Sequence, residues 1–237
     1  MARNNWFEFK QFRIEQQKSA MKVGTDGVLL GAWVNIGDAL RILDVGTGTG
    51  LVALMLAQRS KAQIEAVEID ELACDEAKYN FEQSDWSDRL SVFHSDFLVF
   101  GGRPIEQYDL IVSNPPFFVN SLKTKNEALA VARHNDNLSF NQLIIGVRKL
   151  LSPTGRLCVI IPFESCIEFR ESARMAGFYL QRLTKVIPKT GRIPKRVLLE
   201  FSLIPCYPDE NEIDVLDQMG LYTDVYKTLT APFYPAF

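Results

Sequence analysis

The sequence predicts an α/β fold built on a mostly parallel sheet. Three observations carry this reading. Short apolar, β-branched runs alternate with segments of helical periodicity. The first well-defined run ends in a turn holding three glycines, and the last two runs face each other across a basic turn as an antiparallel hairpin.

The 237 residues suffice for one large domain or a domain with extensions. No segment has the roughly 20 apolar residues that would span a bilayer, which excludes a helical membrane anchor as an expectation. Met1-Ala2-Arg3-Asn4-Asn5-Trp6 lacks the apolar core of a secretory signal, so a cytoplasmic location is expected. Cys74, Cys158, Cys166 and Cys206 are scattered without ligand spacing, and neither a structural metal nor a disulfide framework is expected. The net charge of -3 argues mildly against a nucleic-acid partner, but the charges are uneven. Arg182, Lys185, Lys189, Arg192, Lys195 and Arg196 fall in a stretch without a single acid. Asp209, Glu210, Glu212, Asp214 and Asp217 follow as an acidic segment.

Taken in order, residues 1–23 alternate weakly and read as a short strand or hairpin with basic residues such as Lys10 and Arg13 on its open side. Thr25-Asp26-Gly27 supplies a helix start before the apolar run 28–33. Residues 41–45 form a buried strand. Gly46-Thr47-Gly48-Thr49-Gly50 then opens a helix over 51–60, its glycines permitting a tight turn and close approach of backbone to a ligand. The dinucleotide fingerprint would require Gly or Ala where Leu51 stands, and Asp44 before the turn suits a cationic ligand better than a pyrophosphate. Both points disfavour NAD.

Residues 64–70 form the second strand, with Glu68 placed 20 positions past Gly48 to accept ribose hydroxyls. A helix over 71–84 follows, whose Leu72, Ala73, Ala77 and Phe81 read as core packing alone. The third strand, 90–97, ends at Asp96, which is either an acceptor for an adenine amine or a solvated strand-end acid. His94 reads as a packed or surface histidine.

The fourth strand, 108–112, leads into Ser113-Asn114-Pro115-Pro116-Phe117. Two prolines end the strand and stiffen its exit at the carboxyl edge, where open α/β sheets bind ligands. An amine conjugated to a ring is a poor nucleophile because its lone pair is delocalised. The Asn114 side-chain oxygen and the Pro115 carbonyl can accept its two hydrogens, and Phe117 can stack on the ring. The alternative is an ordinary strand-ending turn.

Residues 119–136 read as a partly mobile loop carrying Lys123, Lys125, Arg133 and His134, and no role is assigned to His134. A helix over 139–151 leaves through Ser152-Pro153-Thr154-Gly155. A strand over 156–162 and a helix over 164–176 follow. Residues 180–188 and 196–203 pair as the hairpin, whose basic tip is either a phosphate contact or a charged edge that deters aggregation. The tail from Cys206 holds a short acidic helix candidate, then aromatics that dock on the domain.

Together these motifs resemble the class I S-adenosylmethionine-dependent methyltransferases that modify planar amines, over roughly residues 22–204. Lys22 to Trp33, Asp44 to Gly50, Val67-Glu68-Ile69-Asp70 and Asn114-Pro115-Pro116-Phe117-Phe118 resemble, within that class, the bacterial tRNA adenine-N6 methyltransferases. The resemblance implies a Rossmann-like, mostly parallel seven-stranded sheet with an antiparallel C-terminal hairpin. It divides the chain into a cofactor lid (1–36), a methyltransferase domain (37–204) and a docked tail (205–237). It implies S-adenosylmethionine as cofactor, without a metal, and contacts to it from Lys22, Thr25, Asp44, Gly46, Gly48, Gly50, Glu68, Ile69, Asp96, Phe97 and Asn114. The catalytic set implied is Asn114, Pro115, Pro116 and Phe117. The substrate implied is the adenine just 3′ of the anticodon of a valine tRNA. For such a substrate the charge distribution offers the basic tip (Lys189, Arg192, Lys195 and Arg196), with Lys10, Arg13, Lys18 and the Lys123/Lys125 loop, as the candidate tRNA footprint, and no obligatory protein partner is expected. Guanine-N2 methyltransferases acting on ribosomal RNA use the same four residues. Glutamine-N5 methyltransferases commonly have Tyr where Phe117 stands. A non-catalytic RNA-binding module is the rival from a different class.

Overall fold

A computed structural model describes residues 4–19, 21–102, 106–115 and 138–236. The chain opens with an antiparallel hairpin, β1 (Trp6–Glu8) and β2 (Arg13–Glu15), and helix α1 (Thr25–Trp33). Then come β3 (Arg41–Val45), α2 (Leu51–Arg59), β4 (Gln63–Glu68), α3 (Glu71–Glu82), β5 (Leu90–His94), α4 (Phe97–Phe100) and β6 (Tyr108–Ser113). After the segment outside the described residues follow α5 (Phe140–Leu150), β7 (Leu151–Pro162), α6 (Cys166–Met175), β8 (Tyr179–Lys189), β9 (Arg196–Ser202), β10 (Asp209–Leu216) and α7 (Asp224–Thr230).

The sheet runs β10-β8-β9-β7-β6-β3-β4-β5, with β9 antiparallel to both neighbours and every other pair parallel. This is the expected Rossmann-like plan with one strand more than the seven expected. The additional strand is β10, formed by the acidic stretch that the sequence suggested as a short helix. Ile213 and Val215 are both buried and two residues apart, a strand period, and Ile213 pairs in register with Val186. The acids around them blunt an edge strand against further pairing, and the tail's helix comes only afterwards, at α7.

Other boundaries moved for local reasons. β7 begins at Leu151, but its register against β6 jumps from Tyr108↔Leu151 to Leu110↔Arg156, so Ser152-Pro153-Thr154-Gly155 bulges out of the ladder. β5 stops at His94, because the Asp96 side chain accepts from Leu98 N and Val99 N and so starts α4.

Both faces of the sheet are buried, as a parallel sheet requires. Ile42, Leu110, Val112, Cys158, Ile160 and Leu198 pack with α1 and α2, whereas Leu43, Val45, Ile111, Leu157, Val159 and Leu199 pack with α5 and α6. Arg182 lies 3.6 Å over the Trp33 ring and, like Arg156, pairs with the buried Glu200 at 2.9 Å. Part of the basic stretch is therefore committed to the fold.

Gly50 shows how tightly the glycine turn is fitted. Its φ of 86° is left-handed, and a Cβ there would stand 2.5 Å from Cε1 of Phe81 on α3. Gly50→Ala is expected to cost about 3 kcal/mol from strain and overpacking together, read as a lower denaturation midpoint at unchanged m.

Candidate active site

A cavity of about 330 Å³ opens at the carboxyl ends of β3, β4 and β6, beside the Ser95-Asp96-Phe97 corner that follows β5. Strand order reverses between β3 and its neighbours β4 and β6, which places the cavity at the topological switch point of the sheet. Its floor is the glycine turn. Gly46 and Gly48 have φ of 72° and 58°, and no atom lies within 4 Å of where a Cβ would sit on either. Thus a ligand can approach the backbone there, whereas side chains would fill that space.

Asp44 is buried beneath this floor and does not line the cavity. Its Oδ2 accepts from Thr47 Oγ1 at 2.6 Å. Burial pushes its carboxyl up to about 7, against the hydrogen bonds from Thr47 and the Ala53 backbone, with the Glu68 charge pushing the same way as burial.

Glu68 ends β4 at the cavity wall. Its Oε2 accepts from Gly48 N at 2.8 Å and its Oε1 from Ile69 N at 2.9 Å and Asp70 N at 3.0 Å. Three of a carboxylate's roughly four acceptor positions are thus taken, so holding both hydroxyls of a ribose requires the Gly48 bond to yield. Asp96 lines the same wall, its Oδ1 engaged by Leu98 N and Val99 N at 2.7 and 3.2 Å, which leaves Oδ2 for an adenine amine. Phe97 is buried against Gly146 and contributes an apolar wall.

The opposite side belongs to the end of β6. Ser113 Oγ donates to Val45 O at 2.8 Å and locks that strand to β3. Asn114 and Pro115 line the cavity, and Asn114 Oδ1 is buried without a hydrogen-bond partner among the described residues. A buried amide oxygen left unpaired costs about 1–3 kcal/mol, and a ligand donor placed in the cavity would offset that cost. Pro116, Phe117 and the loop with Lys123, Lys125 and His134 lie outside the described residues.

The cavity therefore brings together Gly46, Gly48, Glu68, Ile69, Asp96, Phe97, Asn114 and Pro115. It does not bring in Gly50, Thr25 or Lys22. Thr25 is the first residue of α1, and Lys22 Nζ donates to the Gln16 carbonyl and, at 3.4 Å, to that of Gln17. No residue of α1 lines the cavity. The N-terminal extension reaches the cavity through Ser19 and Met21.

Sequence reasoning missed Glu76 and Asn80, the two α3 residues that hold this extension. The signal was available: they share a helix face with Ala73, Ala77 and Phe81, where apolar residues are expected. Among the described residues no group of three or more His, Cys, Asp or Glu could hold a metal ion, and no helix is long and apolar enough to cross a membrane.

The unpaired Asn114 oxygen, the open glycine floor and the two acidic strand ends fit an adenosyl ligand carrying a cationic centre. Residues 23–165 match the family described as Methyltransferase small domain. A tRNA1(Val) (adenine(37)-N6)-methyltransferase of Bacteroides fragilis is 46% identical over 230 residues, covering 97% of each chain. The chain belongs to this methyltransferase family.

Two further relatives of the same name support the membership along the whole length. That of Trichodesmium erythraeum is 47% identical over 233 residues, covering 97% of this chain and 98% of the relative. That of Histophilus somni is 42% identical over 239 residues and covers both chains fully. Among solved structures, a predicted O-methyltransferase from Agrobacterium tumefaciens superposes with a TM-score of 0.67 at 20% identity, over 88% of this chain and 96% of the other. That likeness shows the methyltransferase fold. The cofactor of the family is S-adenosylmethionine.

Proposed function

We propose that the chain methylates the N6 amine of an adenine in tRNA, the adenine 3′ of the anticodon of a valine tRNA, using S-adenosylmethionine. The observation that carries the reading is the buried Asn114 Oδ1, without a partner among the described residues, at the cavity wall beside Pro115. When bound, S-adenosylmethionine supplies a methyl group already activated by its sulfonium.

The chain's own residues orient the acceptor and exclude water. Asn114 Oδ1 and the Pro115 carbonyl accept the two amine hydrogens, which draws the nitrogen lone pair out of the ring and toward the methyl. A base in duplex or stacked RNA must leave its stack to enter such a pocket, and Phe117 is the residue assigned to receive it. The ammonium formed on transfer is acidic enough to release its proton without a dedicated base. Glu68, Ile69 and Asp96 hold the adenosine, and Asp44 places a negative charge beneath it.

The basic tip between β8 and β9 is the tRNA contact in this reading. The register supports it, because Pro162 at the carboxyl end of β7 pairs with Arg196 at the start of β9. The tip thus rises from the same sheet edge as Asn114, two strand spacings or roughly 10 Å to the side. Arg192 and Lys195 are exposed and Lys189 is half-buried, whereas Arg196 is ion-paired with Asp26 at 2.7 Å and contributes less free charge. Lys10, whose Nζ donates to the Ala231 carbonyl at 2.6 Å, and Arg13, paired with Glu8 at 2.6 Å, are partly committed within the fold.

Replacing Lys189, Arg192 and Lys195 with alanine is expected to weaken tRNA binding and lower the salt slope by about 2, at roughly 0.7–0.9 for each phosphate no longer neutralised. Affinity for S-adenosylhomocysteine should stay as it was. An unchanged salt slope removes the tip from the footprint.

Methyl transfer assayed in parallel on unmodified total tRNA, ribosomal RNA and release factor, followed by nucleoside and amino-acid analysis, tests the function. N6-methyladenosine in tRNA is the expected product. N2-methylguanosine in ribosomal RNA or methylglutamine would overturn the reading.

A further inference from the structure

Residues 16–19 and 21–23, between β2 and α1, are irregular, and from them Ser19 and Met21 reach the cavity wall. An irregular segment holds its shape only if its backbone groups find partners. Here they are found on one face of α3. Glu76 Oε1 accepts from Lys18 N at 2.5 Å and Oε2 from Ser19 N at 2.8 Å. One turn on, Asn80 exchanges two hydrogen bonds with the backbone of Glu15, at 2.9 and 3.0 Å, and donates to Thr49 O in the glycine turn at 2.9 Å. Gln16 closes the segment on itself, its Oε1 accepting from Val23 N at 2.7 Å and its Nε2 donating to Asn4 O at 3.0 Å.

Glu76, Asn80, Gln16 and Ser19 are each at most 6% exposed. Burying a carboxylate is costly, and two charge-assisted bonds to successive amides are what offsets that cost here. The same helix carries its N-cap Asp70 and Ala73 into the cavity lining. One face of α3 thus registers the glycine turn, the N-terminal extension and the cavity wall against one another.

We infer that Glu76 is a positioning residue for the cofactor: it touches no ligand, but its bidentate hold on Lys18 N and Ser19 N sets Ser19 and Met21 at the distance the cofactor requires. Asn80 fixes the glycine turn in the same frame. The inference rests on the reading that this cavity takes S-adenosylmethionine.

The distinction from a merely structural role lies in linkage. If the segment and the cofactor order each other, binding and segment protection must be coupled in both directions. Calorimetry with S-adenosylhomocysteine and amide hydrogen exchange on the intact chain read both. In the unaltered chain, S-adenosylhomocysteine should slow exchange at Lys18 and Ser19. Glu76→Gln turns one acceptor into a donor facing an N–H. It should raise the dissociation constant for S-adenosylhomocysteine about tenfold while leaving kcat at saturating cofactor and KM for tRNA within about twofold.

A lower Tm with unchanged affinity would reduce Glu76 to a structural residue and overturn the inference. So would unchanged exchange at Lys18 and Ser19 in the unaltered chain, which tests the idea even if the variant does not fold. Failure of the unaltered chain to bind S-adenosylhomocysteine at all would instead strike the functional reading itself.

Discussion

Replacing Asn114 with alanine is expected to lower the rate of methyl transfer by about 10²–10³ or more, the usual cost of removing one positioned hydrogen-bonding group from a reacting centre. The dissociation constant for S-adenosylhomocysteine should change by no more than about threefold. The asymmetry follows from where the side chain stands: its Oδ1 lies at the cavity wall without a hydrogen-bond partner among the described residues. For the same reason Asn114→Ala should not weaken the fold, and relief of an unpaired buried acceptor can raise stability by about 1 kcal/mol. Single-turnover kinetics, calorimetry and thermal unfolding on one preparation separate the three quantities. Equal loss of transfer and cofactor affinity would make Asn114 a cofactor-holding residue instead.

Asp44→Asn is the second large effect, and it appears as a change in pH dependence. The folded chain holds the Asp44 proton more tightly than an ordinary aspartate does, with a pKa of about 7 against 3.8. The stability tied to that proton is complete below about pH 4 and is lost as the pH rises through 7, an upper limit of about 4 kcal/mol for the ligand-free chain. Asp44→Asn should remove this slope and be the more stable form at pH 8.

Cofactor binding should move in the opposite sense. Ionised Asp44 favours the cationic sulfonium, so affinity for S-adenosylmethionine should fall as the pH drops below 7, by up to about tenfold per pH unit. In Asp44→Asn that dependence should disappear, and the preference for S-adenosylmethionine over uncharged-sulfur S-adenosylhomocysteine should shrink. Identical pH profiles for the two proteins would show that Asp44 merely braces the turn through Thr47.

Much of this site was legible because its signals are local. Glycines at 46, 48 and 50 announce left-handed backbone, and all three adopt it. Glu68 and Asp96 sit at strand ends that apolar runs define. Asn114 precedes two prolines that can only end a strand. What was not legible depends on distant partners. Lys22 looks like a free cation in sequence, yet its ammonium is bonded to the backbone of its own loop. Arg196 belongs by composition to the basic tip, and only the folded chain brings Asp26 beside it. Glu76 was hidden by averaging, because a helix rich in alanine at core spacing reads as packing even when two of its inward positions are polar. β10 was hidden by charge: five acids suggested a short acidic helix, and the period-two burial of Ile213 and Val215 became decisive only with β8 available as a partner.

The central claim is that the corner at Asn114 and Pro115 grips a flat amine beside the methyl donor. A crystal structure of the chain with S-adenosylhomocysteine and an anticodon stem-loop of unmodified valine tRNA measures this directly. The account predicts the adenine N6 at about 3 Å from both Asn114 Oδ1 and the Pro115 carbonyl, with the cofactor sulfur on its open side. Asn114 Oδ1 bonded to the cofactor or to the protein, with the base held elsewhere, would contradict it.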